Sequence, residues 1–377
     1  MPMLWLLRFM LMLPISIAED GKIRFRWWSL PVAVTFLAWL VIAVLGVFSV
    51  HVHLDPIRGD NKHFHVWDLV PQYCGAFNTC YIFCLPYTSW AATSKAISML
   101  DQWQRVEDLV SVLRGSMPVP GLRRRVWFYS FLSISMPVSM FLLTLNQKYA
   151  SDEPWMAPIT IHLFGYSMLA ACFWNLSCRG LAAVARQQAS FLVEDFQRLG
   201  VQALHNHRSV WLGMVRVLDL LSCCWGRVHS MLLLMSFVSF VSVCFLLICL
   251  LVEKDFDRRF FWLMAVVCYC FSITASVCNS AHIATDAMRR PTMKQLLQLS
   301  LTHRDKATLT EIWRFLYDIN ISSPKVTITG LAILSRTSII SFFTLANTYI
   351  FVVSQFAISV ENTESNFSED PFLLDDY

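Results

Sequence analysis

Seven stretches of this sequence are long and apolar enough to cross a bilayer, and nothing else in it restricts the fold as tightly. In hydrocarbon, every backbone N–H and C=O must be satisfied within its own helix or within a closed barrel. A run of roughly 20 apolar residues therefore folds as a spanning helix. The runs fall at about 29–51, 66–92, 126–146, 158–183, 231–252, 260–283 and 332–358. With 56% hydrophobic and 15% charged residues over 377 positions, the chain lies far from soluble composition. The expected fold class is an all-α membrane protein with seven transmembrane helices.

The basic residues set the expected orientation. Segments 1–28, 93–125, 184–230 and 284–331, with the adjoining span ends, carry 24 of the 30 Lys and Arg. The opposite side has only Arg58, Lys62, Lys148, Lys254, Arg258 and Arg259. The positive-inside rule puts the basic side, and so the N-terminus, in the cytosol. An odd number of spans then leaves the C-terminus outside. A competing reading takes 3–15 as a signal peptide cleaved after Ser16-Ile17-Ala18. Arg8 inside that run and the export of Lys22, Arg24 and Arg26 speak against it.

Five regions follow: a cytosolic segment 1–28, spans one to six over 29–283, cytosolic anchor helices in 284–331, the last span 332–358, and an acidic outer tail 359–377. The tail holds Glu361, Glu364, Glu369, Asp370, Asp375 and Asp376 without a Lys or Arg, and a glycosylation sequon at Asn366. The inner segments read as short amphipathic helices. In 308–320, Ile312, Phe315, Leu316 and Ile319 recur at helical spacing among charges, a stripe that needs a partner, either within the chain or between subunits. The twelve Cys sit mostly in apolar runs without paired CxxC spacing, so they read as core thiols. No cofactor, metal centre or nucleic-acid partner is expected, and no nucleophile or paired-carboxylate pattern points to an enzyme.

The last span has a pattern of its own. At about 100° per residue, Thr337, Ser341, Thr344, Thr348, Gln355, Ser359 and Asn362 share an arc of about 60°. Asn347 and Ser354 flank it, while Tyr349 and Phe356 fall on a different, packing face. A hydroxyl and amide stripe along a whole span marks either a wet path or hydrogen-bonded helix packing. One helix cannot enclose a path, so several copies around a symmetry axis are expected. Phe351 and Val352 interrupt the stripe and form a candidate hydrophobic gate.

The string Thr348-Tyr349, five mostly apolar residues, Gln355-Phe356 resembles the TYhhhhhQF signature of insect gustatory receptors, in the span where that family carries it. Seven spans, an inside N-terminus, long inner loops and chain length agree. The resemblance implies a tetrameric ligand-gated cation channel of chemosensory plasma membranes, built from copies of itself or related subunits. Its last spans would line a central pore constricted around Gln355 and Phe356, above a cytosolic helical anchor. A narrower similarity to the sugar-receptor branch rests on Leu13-Pro14 followed by Phe25-Arg26-Trp27-Trp28-Ser29. It makes sugars the candidate tastants, although that branch has Glu where this chain has Ile350. The expected partners are thus a small-molecule tastant, cations, membrane lipid and further subunits.

Polar and aromatic residues gather at the outer span ends: Trp67, Asp68, Gln72 and Tyr73, then Asn146, Gln147, Trp155 and His162, then Trp262. His65, Asp68 and Gln72 share one helix face. Together they offer hydroxyl partners and aromatic faces to a ligand, or else form an interfacial belt. His51, His53, His63 and His65 with Asp55 and Asp60 lack a recognised metal spacing. Two alternative functions make different predictions. A G-protein-coupled receptor predicts an outside N-terminus, and a small-molecule transporter predicts repeated halves with broken spans; neither is visible.

Overall fold

Length alone forces most helices of this chain out of the membrane. The computed structural model describes residues 6–7, 12–13, 15–17, 23–25, 28–58, 66–114, 121–145, 156–253, 258–328, 330 and 332–368. Its main helices are α1 (Leu30–Arg58), α2 (Val66–Arg114), α3 (Leu122–Leu145), α4 (Met156–Leu199), α5 (Val201–Glu253), α6 (Arg258–Thr302), α7 (Lys306–Ile321) and α8 (Arg336–Ser368). Helices α2, α4, α5 and α6 have 49, 44, 53 and 45 residues. At 1.5 Å per residue they run about 65–80 Å, against a hydrocarbon layer of about 30 Å. Apart from α7, the expected inner loops are therefore not separate short helices. They are continuations of the spans, which together form a charged helical layer on one side.

Two antiparallel hairpins complete the described elements: β1 (Ser16–Ile17) pairs with β2 (Ile23–Arg24), and β3 (Thr327–Ile328) pairs with β4 (Ala332–Ile333). The turn from α4 into α5 needs only Gly200, at φ +61°, whose N–H closes on the Phe196 carbonyl at 2.8 Å. A left-handed glycine is the usual way to end a helix in so little space.

Six helices among the described residues are apolar and long enough to cross a membrane: those at Leu30–His51, Arg123–Leu145, Pro158–Leu199, Val201–Val252, Arg258–Thr302 and Arg336–Phe356. The expected second span, 66–92, is a helix but falls short on apolarity. It carries Asp68, Gln72, Asn78 and two prolines, and it packs between α1 and α5. Polar tips tie the spans together: Trp174 Nε1 donates to the Val277 carbonyl at 3.1 Å, and the Asn175 amide donates to Ser276 Oγ. From α5, Ser239 Oγ donates to Asn78 Oδ1 of α2 at 3.0 Å. Such bonds hold helices together where lipid leaves no hydrophobic drive between them.

In the charged layer, Asp305 caps α7 by accepting from the Thr308 N–H at 3.0 Å. Ile312, Phe315, Leu316 and Ile319 are all buried. Phe315 meets Trp211 of α5 edge-on at 6.0 Å, and Arg208 of α5 bridges Glu311 at 3.1 Å and Asp318 at 2.5 Å. The stripe thus finds its partner inside the chain, and an intersubunit role is not required to cover it. Helix α8 continues to Ser368, ten residues into the segment read from sequence as a tail.

Candidate functional site

Helix α8 is held along one side only. Ile339, Phe342, Phe343 and Ile350 pack against the core, and Ala346 is fully buried. Phe342 and Phe343 interlock with Phe237 and Phe240 of α5 and Phe271 of α6, with ring centroids 5.2–5.9 Å apart. The window of this span is 6% buried, less than in any other candidate span. Thr337, Ser341, Thr344, Thr348, Gln355 and Ser359 are exposed on the opposite side, about 180° from the packing face by helical geometry. Among the described side chains, no other part of the chain covers the polar arc.

The chemistry of the arc is set by how its hydroxyls are used. Ser341, Thr344 and Thr348 donate to the carbonyls of Thr337, Ile340 and Thr344 at 3.2, 3.0 and 3.0 Å. With the proton turned back to the helix, each oxygen points its remaining lone pairs outward. The arc therefore presents acceptors, and a row of oxygens suits a cation better than an anion.

Tyr349 and Phe356 require a correction. They were expected on the packing face, but Tyr349 is 50% exposed and Phe356 68%. The packing face is centred on Ala346 and Ile350, so both rings stand at its edge. Tyr349 still meets Phe237 edge-on at 5.7 Å. Phe351 is 70% exposed and Val352 40%, so the apolar break in the arc also faces away from the chain's own core. The Asn366 side chain lies outside the described residues.

The base of α8 is anchored to the charged layer. Ser222 Oγ of α5 donates to the Thr327 carbonyl at 2.6 Å and accepts the Thr327 N–H at 3.1 Å, clamping the β3–β4 hairpin that turns at Gly330, φ +76°. Arg336, the first residue of α8, donates from Nε to Asn279 Oδ1 of α6 at 2.9 Å. The hairpin leading into the last span is thus tied to α5, and the first residue of α8 to α6.

The expected outer ligand residues do not form one described cluster. Trp67, Asp68 and Gln72 lie on α2 with side chains outside the described residues, and Asn146, Gln147 and Trp155 also lie outside. Tyr73 is exposed at 56%. Trp262 is half-buried and donates to Thr144 Oγ1 of α3 at 3.3 Å, which ties two spans together. His162 is 5% exposed, its Nε2 has no partner among the described residues, and its ring lies 5.9 Å from Tyr166.

Around His162 the fold assembles residues that the sequence reading missed. Tyr81 of α2, Tyr166 of α4 and Tyr269 of α6 are all buried within the helix bundle. Tyr269 donates to the Phe164 carbonyl at 2.9 Å and Tyr166 is hydrogen-bonded to Ser89. The Tyr81 hydroxyl has no partner among the described residues. A buried phenol and a buried imidazole nitrogen without a partner among the described residues each call for a hydrogen-bonding group such as water or a small polar molecule. The signal in the sequence was a Tyr set two turns or more inside a span, too deep for a headgroup belt.

Known proteins give the same layout a context. Residues 2–360 match the family described as 7tm Chemosensory receptor. The chain is 23% identical over 286 residues to Gustatory and odorant receptor 22 of Anopheles gambiae, covering 74% of this chain and 60% of that protein. It is 24% identical over 289 residues to Gustatory and odorant receptor 21a of Drosophila melanogaster, covering 74% and 61%. The matched part thus spans about three fifths of the length of these two relatives. Among solved structures, the insect olfactory receptor OR5 from Machilis hrabei in complex with eugenol superposes with a TM-score of 0.65 at 9% identity, over 94% of this chain and 97% of that one. The same receptor in a structure described without eugenol gives 0.62 at 12% identity. These two likenesses are likenesses of fold.

Proposed function

The chain belongs to the 7tm chemosensory receptor family, a family of multi-pass membrane receptors, and from that premise we propose that it is a ligand-gated cation channel of chemosensory plasma membranes. One observation carries the reading: the oxygen-bearing arc of α8 lies opposite its packing face on the least buried span. In a lone subunit that arc would meet hydrocarbon, where polar groups are costly. Copies gathered around an axis would let it line water instead. Four subunits are the proposed number, each contributing α8 to one pore, as self-assembly or with related chains.

The basic layer is proposed to be cytosolic, with 284–331 as its anchor part, 29–283 carrying the ligand cavity, 332–358 lining the pore and 359–377 at the outer mouth. Gln355 and Thr348 would face the ion path with Thr344 and Ser359. The gate would be the apolar belt of Phe351 and Val352, with Phe356 beside it. The proposed ligand is a small polar tastant held near Tyr81, His162, Tyr166 and Tyr269, with sugars the candidate class. Trp67, Asp68, Gln72, Tyr73, Asn146, Gln147, Trp155 and Trp262 would form its outer approach.

The test is to express the chain alone in cells without taste signalling and screen tastants, sugars first, by calcium influx under G-protein blockade. Influx that survives the blockade is expected. A response that disappears with it, in cells where the chain reaches the surface, overturns the channel reading.

A further inference from the structure

A cavity of about 350 Å³ opens in the charged layer between α4 and α6, lined by Arg186, Ala189, Ser190, Arg290, Pro291, Lys294 and Gln295. Its volume is in the range of small-molecule sites. The lining residues fall at i, i+3 and i+4 on α4 and at i, i+1, i+4 and i+5 on α6, so each helix contributes one side. Ala189, Ser190 and Pro291 are short, and the remaining lining residues bring two guanidinium groups, an ammonium and an amide. No carboxylate lines the cavity. Arg290 Nε is engaged by Asp286 at 2.6 Å, which leaves its terminal N–H groups for another acceptor. Arg186 and Lys294 are exposed, and neither has an ion-pair partner among the described residues. Three converging cations with one carboxylate behind them leave an unbalanced positive site.

Its depth narrows the ligand. Counting from the span ends at 183 and 283, the lining residues lie about 5–18 Å beyond the hydrocarbon edge at 1.5 Å per residue. The headgroup region adds only about 5–8 Å per leaflet. On those expected span ends the cavity lies beyond the hydrocarbon, at the level of the headgroups and their outer phosphates. Basic pockets between spans on the cytosolic side favour such headgroups, and Arg forks match phosphate oxygens two at a time.

We propose that this cavity binds a phosphomonoester-bearing anion, supplied by an inositol-lipid headgroup of the inner leaflet or by a free inositol phosphate. The assignment to the inner leaflet rests on the cytosolic placement of the charged layer proposed above.

The purified full chain in detergent would be titrated with short-chain phosphatidylinositol bisphosphate, phosphatidylcholine of equal chain length and inositol trisphosphate, with adducts counted by native mass spectrometry. Saturable binding of the bisphosphate lipid over phosphatidylcholine is expected, weakened at least tenfold in Arg186→Ala/Lys294→Ala, unchanged in Arg105→Ala and restored in Arg186→Lys/Lys294→Arg. Comparable binding of inositol trisphosphate assigns the site to the free anion as well, and binding of the lipid alone assigns it to the headgroup. Where the double variant does not elute as the parent does on gel filtration, Lys294→Gln alone replaces it, with the same direction expected. Equal binding of phosphatidylcholine, or lipid binding indifferent to these residues, overturns the proposal. The assay needs neither an open channel nor a known tastant, so a failure of the channel reading leaves it unaffected.

Discussion

Single side chains separate the two candidate sites. Gln355 carries the one amide among the described, exposed arc residues of α8, and an amide presents both donors and an acceptor. Gln355→Ala should leave surface expression intact, because the side chain is exposed in its own subunit, while shifting relative permeability among Na⁺, K⁺ and Ca²⁺. Bi-ionic reversal potentials measure this, and unmoved potentials would remove Gln355 from the ion path. Tyr81 behaves in the opposite way. Its buried hydroxyl has no partner, a state that costs about 1–3 kcal/mol. Tyr81→Phe should therefore hold or raise the melting temperature of the detergent-solubilised protein. If the hydroxyl serves the ligand, the same change should raise the half-maximal tastant concentration about tenfold, the loss of roughly one 1.4 kcal/mol contact. A drop in thermal stability with unchanged potency would make Tyr81 a purely structural residue.

The elements show why the sequence disclosed spans better than layers. Apolar runs mark where a helix must be in lipid, so α1, α3 and the buried halves of α4, α5 and α6 were legible. Nothing in that pattern says that a helix continues beyond the headgroups. The charged halves at 93–114, 184–199, 201–230 and 284–302 carry ordinary helix formers but no long apolar run, and their continuity is decided by packing in three dimensions. Helix α7 was legible because its stripe is periodic. Its partner was not, since Trp211 lies about a hundred residues upstream. That contact is testable as an element. Phe315→Ala, at a fully buried position, should cost about 3–5 kcal/mol and lower the melting point in a fluorescence-detected gel-filtration assay. Trp313→Ala, whose ring is 61% exposed on the same helix, should leave it nearly unchanged. Equal effects from both would mean that α7 is not docked through its stripe. The polar arc of α8 was readable from the wheel, whereas the edge positions of Tyr349 and Phe356 were not. A wheel gives the angle between residues, and only the neighbours Phe237, Phe240 and Phe271 fix which angle is packed.

For the whole molecule, charge is distributed along the proposed ion path as well as across the membrane. Glu361, Glu364, Glu369, Asp370, Asp375 and Asp376 follow the last span with no intervening Lys or Arg, and α8 carries the first two onward as helix. Around a common axis, several such segments would bring many carboxylates to one mouth. A ring of like charge concentrates counter-ions locally, and low-dielectric walls strengthen the effect. Its reach is a Debye length, about 10 Å at 0.1 M salt and about 30 Å at 0.01 M. Replacing the six acids by Asn and Gln should thus lower unitary cation conductance clearly in dilute external salt and hardly at all near 1 M, where screening hides the tail. The replacement leaves the arc oxygens of α8 in place, so cation-over-anion selectivity should persist. Single-channel recording across a salt series reads both quantities. Conductance that stays parallel to the parent at every salt concentration would take the tail away from the ion path, whereas a loss of selectivity would move the discrimination between ions from α8 to the mouth.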